Sequence, residues 1–257
     1  TMLREANASV IYRHHVGEDW QNSRRAKAAM QRADLVLVNG EGSIHHGSKR
    51  ARDLAAIGRF CRTNGIRSAL VNATVEANDA TVMSDIAQFD HVWVRESASS
   101  AELGAAGIAN TICPDLTLTL PERSIDPGPR KGHLIVDSVV PEACSTLARI
   151  AIREDQPLLV MKRHWLRGQI QGVKIEDLPQ VVETPRRIKR LAKGLHRCST
   201  HEDFRALVAG ARGLTTGRFH AACYAVLERT PFSAIGSNTS KIETLIADIG
   251  LIKERLF

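Results

Sequence analysis

Apolar runs of strand length at residues 33–39, 66–72, 91–94 and 110–113 are separated by segments at 49–63, 79–88 and 97–106 that read as helices. Strands that alternate with helices of this length imply right-handed βαβ units and a parallel sheet. The alternation stops at 121–132, where proline, glycine and charge crowd together. It resumes with strands at 134–140, 157–161, 213–216 and 232–235 and helices at 142–153, 201–211, 221–228 and 241–249. The expected architecture is two Rossmann-like α/β domains facing each other across a cleft, residues 1–121 and 133–257, with a linker at 122–132. A further strand is expected at 9–15, ahead of a helix at 22–32. The continuous apolar run at 33–39 predicts a strand buried on both faces.

Composition narrows the class. The chain has 257 residues, 43% of them hydrophobic, enough for two cores. No apolar run approaches the roughly twenty residues that span a bilayer, and no signal-peptide core precedes the first strand, so a soluble, cytoplasmic protein is expected. Five cysteines stand singly without CxxC spacing, which argues against a zinc cage or a disulfide framework. The formal charge of +7 points to anionic partners: phosphorylated metabolites, nucleotide sugars, nucleic acid or an acidic membrane face. Five positive charges crowd residues 186–193, which read as a solvated helix face or as a phosphate, nucleic-acid or membrane contact.

Chemistry concentrates where strands are expected to become helices. At Gly217-Arg218-Phe219-His220 a helix N-terminus offers N–H groups to an anion, Arg218 can grip a carboxylate or phosphate, and His220 can move a proton near neutral pH. Gly40, Gly42 and Gly47, with Glu41 among them, form a predicted glycine loop after a strand, although neither a GxGxxG fingerprint nor a P-loop is present. His45 and His46 are adjacent, as are His14 and His15. Neighbouring side chains in extended backbone point in opposite directions, so no metal site is expected, and one histidine of each pair faces the cleft instead. Arg95 ends a strand, before Ser97 as a predicted N-cap, and is read either as an ion-pair partner or as a second guanidinium for one small anion. Asp115 is read as structural, capping a turn or orienting Arg95. No cofactor is called for.

In order, Asn-Gly-Glu-Gly-Ser-Ile-His-His, Val-Arg-Glu-Ser, Cys-Pro-Asp-Leu-Thr-Leu, Gly-Arg-Phe-His-Ala-Ala and Ser-Lys-Ile-Glu-Thr-Leu resemble the polysaccharide pyruvyl transferase family. The resemblance spans about residues 33–251. It implies a GT-B-like fold and transfer of a pyruvyl group from phosphoenolpyruvate onto two hydroxyls of a glycan or lipid-linked sugar, as a ketal. Carried over, Arg95 and Arg218 would hold the donor, His220 would be the acid or base, and Lys241 a further anion contact. The family usually has an early Gly-Asn-x-Gly-Asp loop with an acidic residue. Here Gly17-Glu18-Asp19 stands in a different setting, with Glu18, Asp19 or Glu41 as the available substitutes. A second reading keeps the GT-B cleft but takes a nucleotide sugar, with Arg218, Lys241 and the loop at Asn238 on its diphosphate, and a glycan or modified DNA as acceptor. A third, a non-catalytic nucleic-acid or glycan-binding module, explains the charge and leaves these motifs without purpose.

Overall fold

The computed structural model describes residues 7–121, 128–156, 158–159 and 200–248. The basic segment at 186–193 and the end of the strand expected at 157–161 lie outside them. The chain divides into two units, Thr1–Asp115 and Leu116–Phe257.

The first unit contains α1 (Arg24–Arg32), β1 (Val36–His45), α2 (Lys49–Thr63), β2 (Ser68–Glu76), α3 (Ala80–Ile86), β3 (His91–Val94), α4 (Ser97–Ala105) and β4 (Thr111–Ile112). All four strands are parallel, in the order β1-β2-β3-β4. Because every crossover steps one strand in the same direction with the same hand, the connecting helices gather on one face. There Val38, Leu70, Val92 and Val94 pack against Leu54 and Ala55 of α2, Ile86 of α3 and Leu103 of α4. The other face keeps Leu37 43% exposed. The strand expected to be buried on both faces is therefore an edge strand covered on one.

Local chemistry explains the helix limits. Ser48 Oγ accepts the Ala51 N–H at 3.2 Å and Asp79 accepts the Val82 N–H at 3.0 Å, each supplying a partner for a first-turn donor. Gly65 and Gly107, at φ +66° and +70°, end α2 and α4 as expected. Ser97 is the first residue of α4, while Glu96 holds the N-cap position. The strand expected at 9–15 does not form. Val10 and Ile11 face solvent, and the segment is anchored by Tyr12 and Trp20 packing on Ala26, Ala56 and Phe60.

In the second unit a 3-10 turn (Leu116–Thr119) precedes β5 (His133–Ser138), α5 (Pro141–Arg153), β6 (Leu158–Leu159), α6 (His201–Gly210), β7 (Gly213–Gly217), α7 (Phe219–Leu227), β8 (Phe232–Ala234) and α8 (Lys241–Asp248). The strands are parallel in the order β6-β5-β7-β8. Helices cover both faces. Ile135 packs on Leu147 and Ala151 of α5, while Leu134 and Val136 face Phe204, Ala222 and Ile242 of α6, α7 and α8. From β5 the chain moves outward to β6, then returns to the other side of β5 to lay down β7. The strand order thus reverses between β5 and β7. In the first unit's described sheet the order never reverses. The described end of the expected linker is tied to this second unit: Arg130 donates to Thr230 Oγ1 at 2.6 Å and to the Glu228 carbonyl at 2.7 Å.

Candidate functional site

Open parallel sheets bind ligands beyond the carboxyl ends of their strands, at the point where strand order reverses. In the second unit that point is bounded by Asp137 and Ser138 at the end of β5 and by Gly217 and Arg218 at the end of β7. The two ends approach closely: a Cβ on Gly217 would collide with Ser138 Cβ and Oγ. Only glycine lets the strands meet here, which gives Gly217 its physical reason. Arg218 then leaves the sheet as the N-cap of α7, its backbone N–H donating to Thr216 Oγ1 at 2.9 Å.

The Arg218 side chain folds back over the neighbouring strand. Its Nε donates to Asp137 Oδ1 at 2.6 Å and its Nη2 to Asp137 Oδ2 at 2.7 Å, a two-pronged ion pair. The Asp137 side chain is 2% exposed and that of Arg218 is 13% exposed, so the pair sits at the boundary between core and solvent. Below it, Cys144 Sγ accepts the Ser138 N–H at 3.0 Å, and burial pushes this thiol up to about 11. His220 lies in the first turn of α7, exposed to solvent, with its ring edge-on to Phe219 at 5.6 Å. One strand further along, the β8–α8 loop brings Asn238 to Lys241, whose Nζ donates to Asn238 Oδ1 at 2.7 Å although Lys241 is only 7% exposed. The carboxyl edge of this unit therefore collects a held guanidinium, an imidazole, a buried ammonium and two helix N-termini, an arrangement suited to a small anion.

Arg95 has a different setting. Its side chain is 1% exposed, with Nη1 on Asp115 Oδ2 at 2.8 Å, Nε on Thr74 Oγ1 at 2.9 Å and Glu96 Oε2 at 3.4 Å. Glu96 is bonded to Ser99 Oγ, which in turn receives the Val75 N–H at 2.7 Å. Within the first unit this guanidinium is committed to carboxylates. These contacts are the ion pairs read for Arg95, with Asp115 as a partner.

The predicted glycine loop is for the most part a strand. Gly40 and Gly42 lie inside β1, which bulges between Glu41 and Ile44. Gly40 packs so close to β2 that a Cβ would sit 2.6 Å from Ala73 Cβ, and Glu41 takes φ +41° to make the bulge. The spacing of three glycines does not distinguish close strand packing from a phosphate cradle. Glu41 is exposed and accepts from Asn39 Nδ2 at 3.0 Å. His45 and His46 do not diverge: His46 adopts φ +54°, which breaks the alternation of extended backbone, and the two Nδ1 atoms meet at 2.9 Å. Among the described residues, no three His, Cys, Asp or Glu side chains stand together to hold a metal ion.

Asp137 was not among the residues singled out in the sequence. Its signal is a lone carboxylate, followed by Ser138, in the middle of the mostly apolar run at 134–140. It becomes informative only when that strand is placed beside the one ending at Arg218.

Residues 2–239 match the polysaccharide pyruvyl transferase family. No curated protein matches the sequence. Among solved structures, UDP-GlcNAc 2-epimerase from Methanocaldococcus jannaschii is similar, with a TM-score of 0.54 and 13% identity over 100% of this chain and 77% of the epimerase chain. At that identity the likeness is one of fold, an α/β chain of the GT-B-like kind with two parallel four-stranded sheets. With its motifs in family order and its family match extending over nearly the whole length, the chain belongs to the polysaccharide pyruvyl transferase family.

Proposed function

We propose that the protein transfers the pyruvyl group of phosphoenolpyruvate to two hydroxyls of a sugar, with the donor held at the β5–β7 strand reversal. The observation that carries this reading is the Asp137–Arg218 pair at that reversal, with His220 in the first turn of the helix that follows. In the reaction the first sugar hydroxyl adds to C2 of the donor as C3 gains a proton. The second hydroxyl then displaces phosphate from C2, leaving a cyclic ketal. Charge develops positive on C2 and accumulates on the departing phosphate. Arg218 and the N-terminus of α7 stabilise that phosphate, and His220 carries the proton. Lys241, at the start of α8, adds a cation for the donor's charge.

The nucleotide-sugar reading makes the opposite donor choice, and ligand-dependent melting separates the two. Phosphoenolpyruvate at a hundred times its Kd is expected to add about 2.7 kcal/mol to the stability of the unit it binds, raising Tm by several degrees. UDP-GlcNAc at equal concentration should leave Tm unchanged. Stabilisation by the nucleotide sugar alone would reverse the assignment.

A further inference from the structure

Arg218 has five N–H donors, and Asp137 takes the Nε and Nη2 side of the fork at 2.6 and 2.7 Å. Asp137 is itself fixed. It sits on the strand that packs on α5, its side chain is 2% exposed, and Gly217 and Ser138 hold β5 and β7 at close approach beneath it. A long, flexible side chain with only 13% exposure is thereby locked in one orientation before any ligand arrives. Among the described residues Nη1 makes no hydrogen bond. The pair is electrically neutral as a unit, so the carboxylate lowers the net attraction for an anion while fixing the guanidinium that receives it. An arrangement that gives up affinity for orientation is of use where a transition state must be met in one geometry.

We propose that Asp137 is a positioning residue for the transfer reaction: it orients Arg218 so that the Nη1 side of the guanidinium is presented to the departing phosphate. The inference rests on the donor reading given above. It leads to an unusual split. In Asp137→Asn one oxygen still accepts, but the new amide NH2 faces a guanidinium N–H, and two donors repel. Arg218 keeps its charge and loses its orientation.

The test uses the full chain as four proteins: wild type, Asp137→Asn, Arg218→Ala and the double variant. Turnover of phosphoenolpyruvate and binding of inorganic phosphate by calorimetry are both measured. Asp137→Asn is expected to lower kcat about 100-fold with KM for phosphoenolpyruvate unchanged or lower. Phosphate binding is expected to tighten about threefold as the neutralising charge is removed. In the Arg218→Ala background the same substitution should change neither quantity by more than about twofold, because the group it positions is gone. A purely structural Asp137 would instead cost the same with or without Arg218, and that result overturns the proposal. So does an Asp137→Asn variant with more than a third of wild-type turnover. A wild type that binds phosphate in an Asp137- and Arg218-coupled manner but ignores phosphoenolpyruvate contradicts the donor reading and leaves the positioning role standing. Phosphate binding indifferent to both residues overturns the role.

Discussion

Arg218→Ala is expected to reduce kcat/KM for pyruvyl transfer by about 10³-fold or more while the protein remains folded. The magnitude follows from where the side chain stands. Its guanidinium is aligned by two charge-assisted bonds to Asp137 before the donor binds, so its interaction with the departing phosphate costs no reorientation during the reaction. Folding should survive, because the side chain is at the mouth of the strand reversal and the core beneath it is made by Leu134, Val136, Phe219 and Ala222. Removing the guanidinium from the 2% exposed Asp137 carboxylate costs stability, as breaking a buried pair does, but leaves that core packing in place. Arg218→Lys should rescue little. An ammonium cannot bridge both Asp137 oxygens in the planar geometry seen here and still present an ordered donor beyond them. A steady-state assay of phosphate release, with circular dichroism on the same samples, checks both halves of the expectation. A variant with near-normal turnover would remove Arg218 from the reaction.

The second large effect concerns stability and has the opposite pattern. Arg95→Ala should destabilise the first unit by about 3–5 kcal/mol, since it removes the guanidinium that pairs with the buried carboxylates of Glu96 and Asp115. Both are about 2% exposed, and Thr74 and Ser99 are bonded into the same network. A loss of that size in a unit near a hundred residues lowers Tm by roughly 10 °C or more. Arg95→Met should be similar, because it supplies volume but no charge. A donor-gripping Arg95 would give a different signature: unchanged Tm with lost affinity for phosphoenolpyruvate. Denaturant unfolding of the two variants, alongside phosphoenolpyruvate titrations of whatever remains folded, decides between the roles.

These two arginines show how far the sequence alone could be read. Both were legible as cations at the carboxyl ends of strands, because strand ends follow from apolar run length and flanking punctuation, and nearly every predicted helix and strand appears within a few residues of its expected place. What surrounds each arginine was not legible. Asp137 is 81 residues from Arg218 in sequence and becomes its neighbour only through the order β6-β5-β7-β8, which local periodicity does not encode. Asp115 is 20 residues from Arg95, near enough to be suspected as its partner. The strand expected at 9–15 does not form for a related reason: Ser9 to His15 has strand-like residues, but where the segment goes is set by Tyr12 and Trp20 packing on Ala26, Ala56 and Phe60, contacts distant in sequence. Gly40 and Glu41 suit a loop or a bulge equally, because both draw on the same residues, and the register of β1 against β2 distinguishes them. His45 and His46 converge only because His46 takes a left-handed conformation, which the sequence does not announce.

The anionic donor is expected to be received at the β5–β7 strand reversal of the second unit. The most direct measurement is a titration of the full chain with phosphoenolpyruvate, followed by amide nuclear magnetic resonance. Saturable shifts centred on Gly217, Arg218, Phe219, His220 and Ser138, with Arg95 and Asp115 unmoved, are the predicted result. Shifts confined to the first unit, or none at phosphoenolpyruvate concentrations that support turnover, would contradict it.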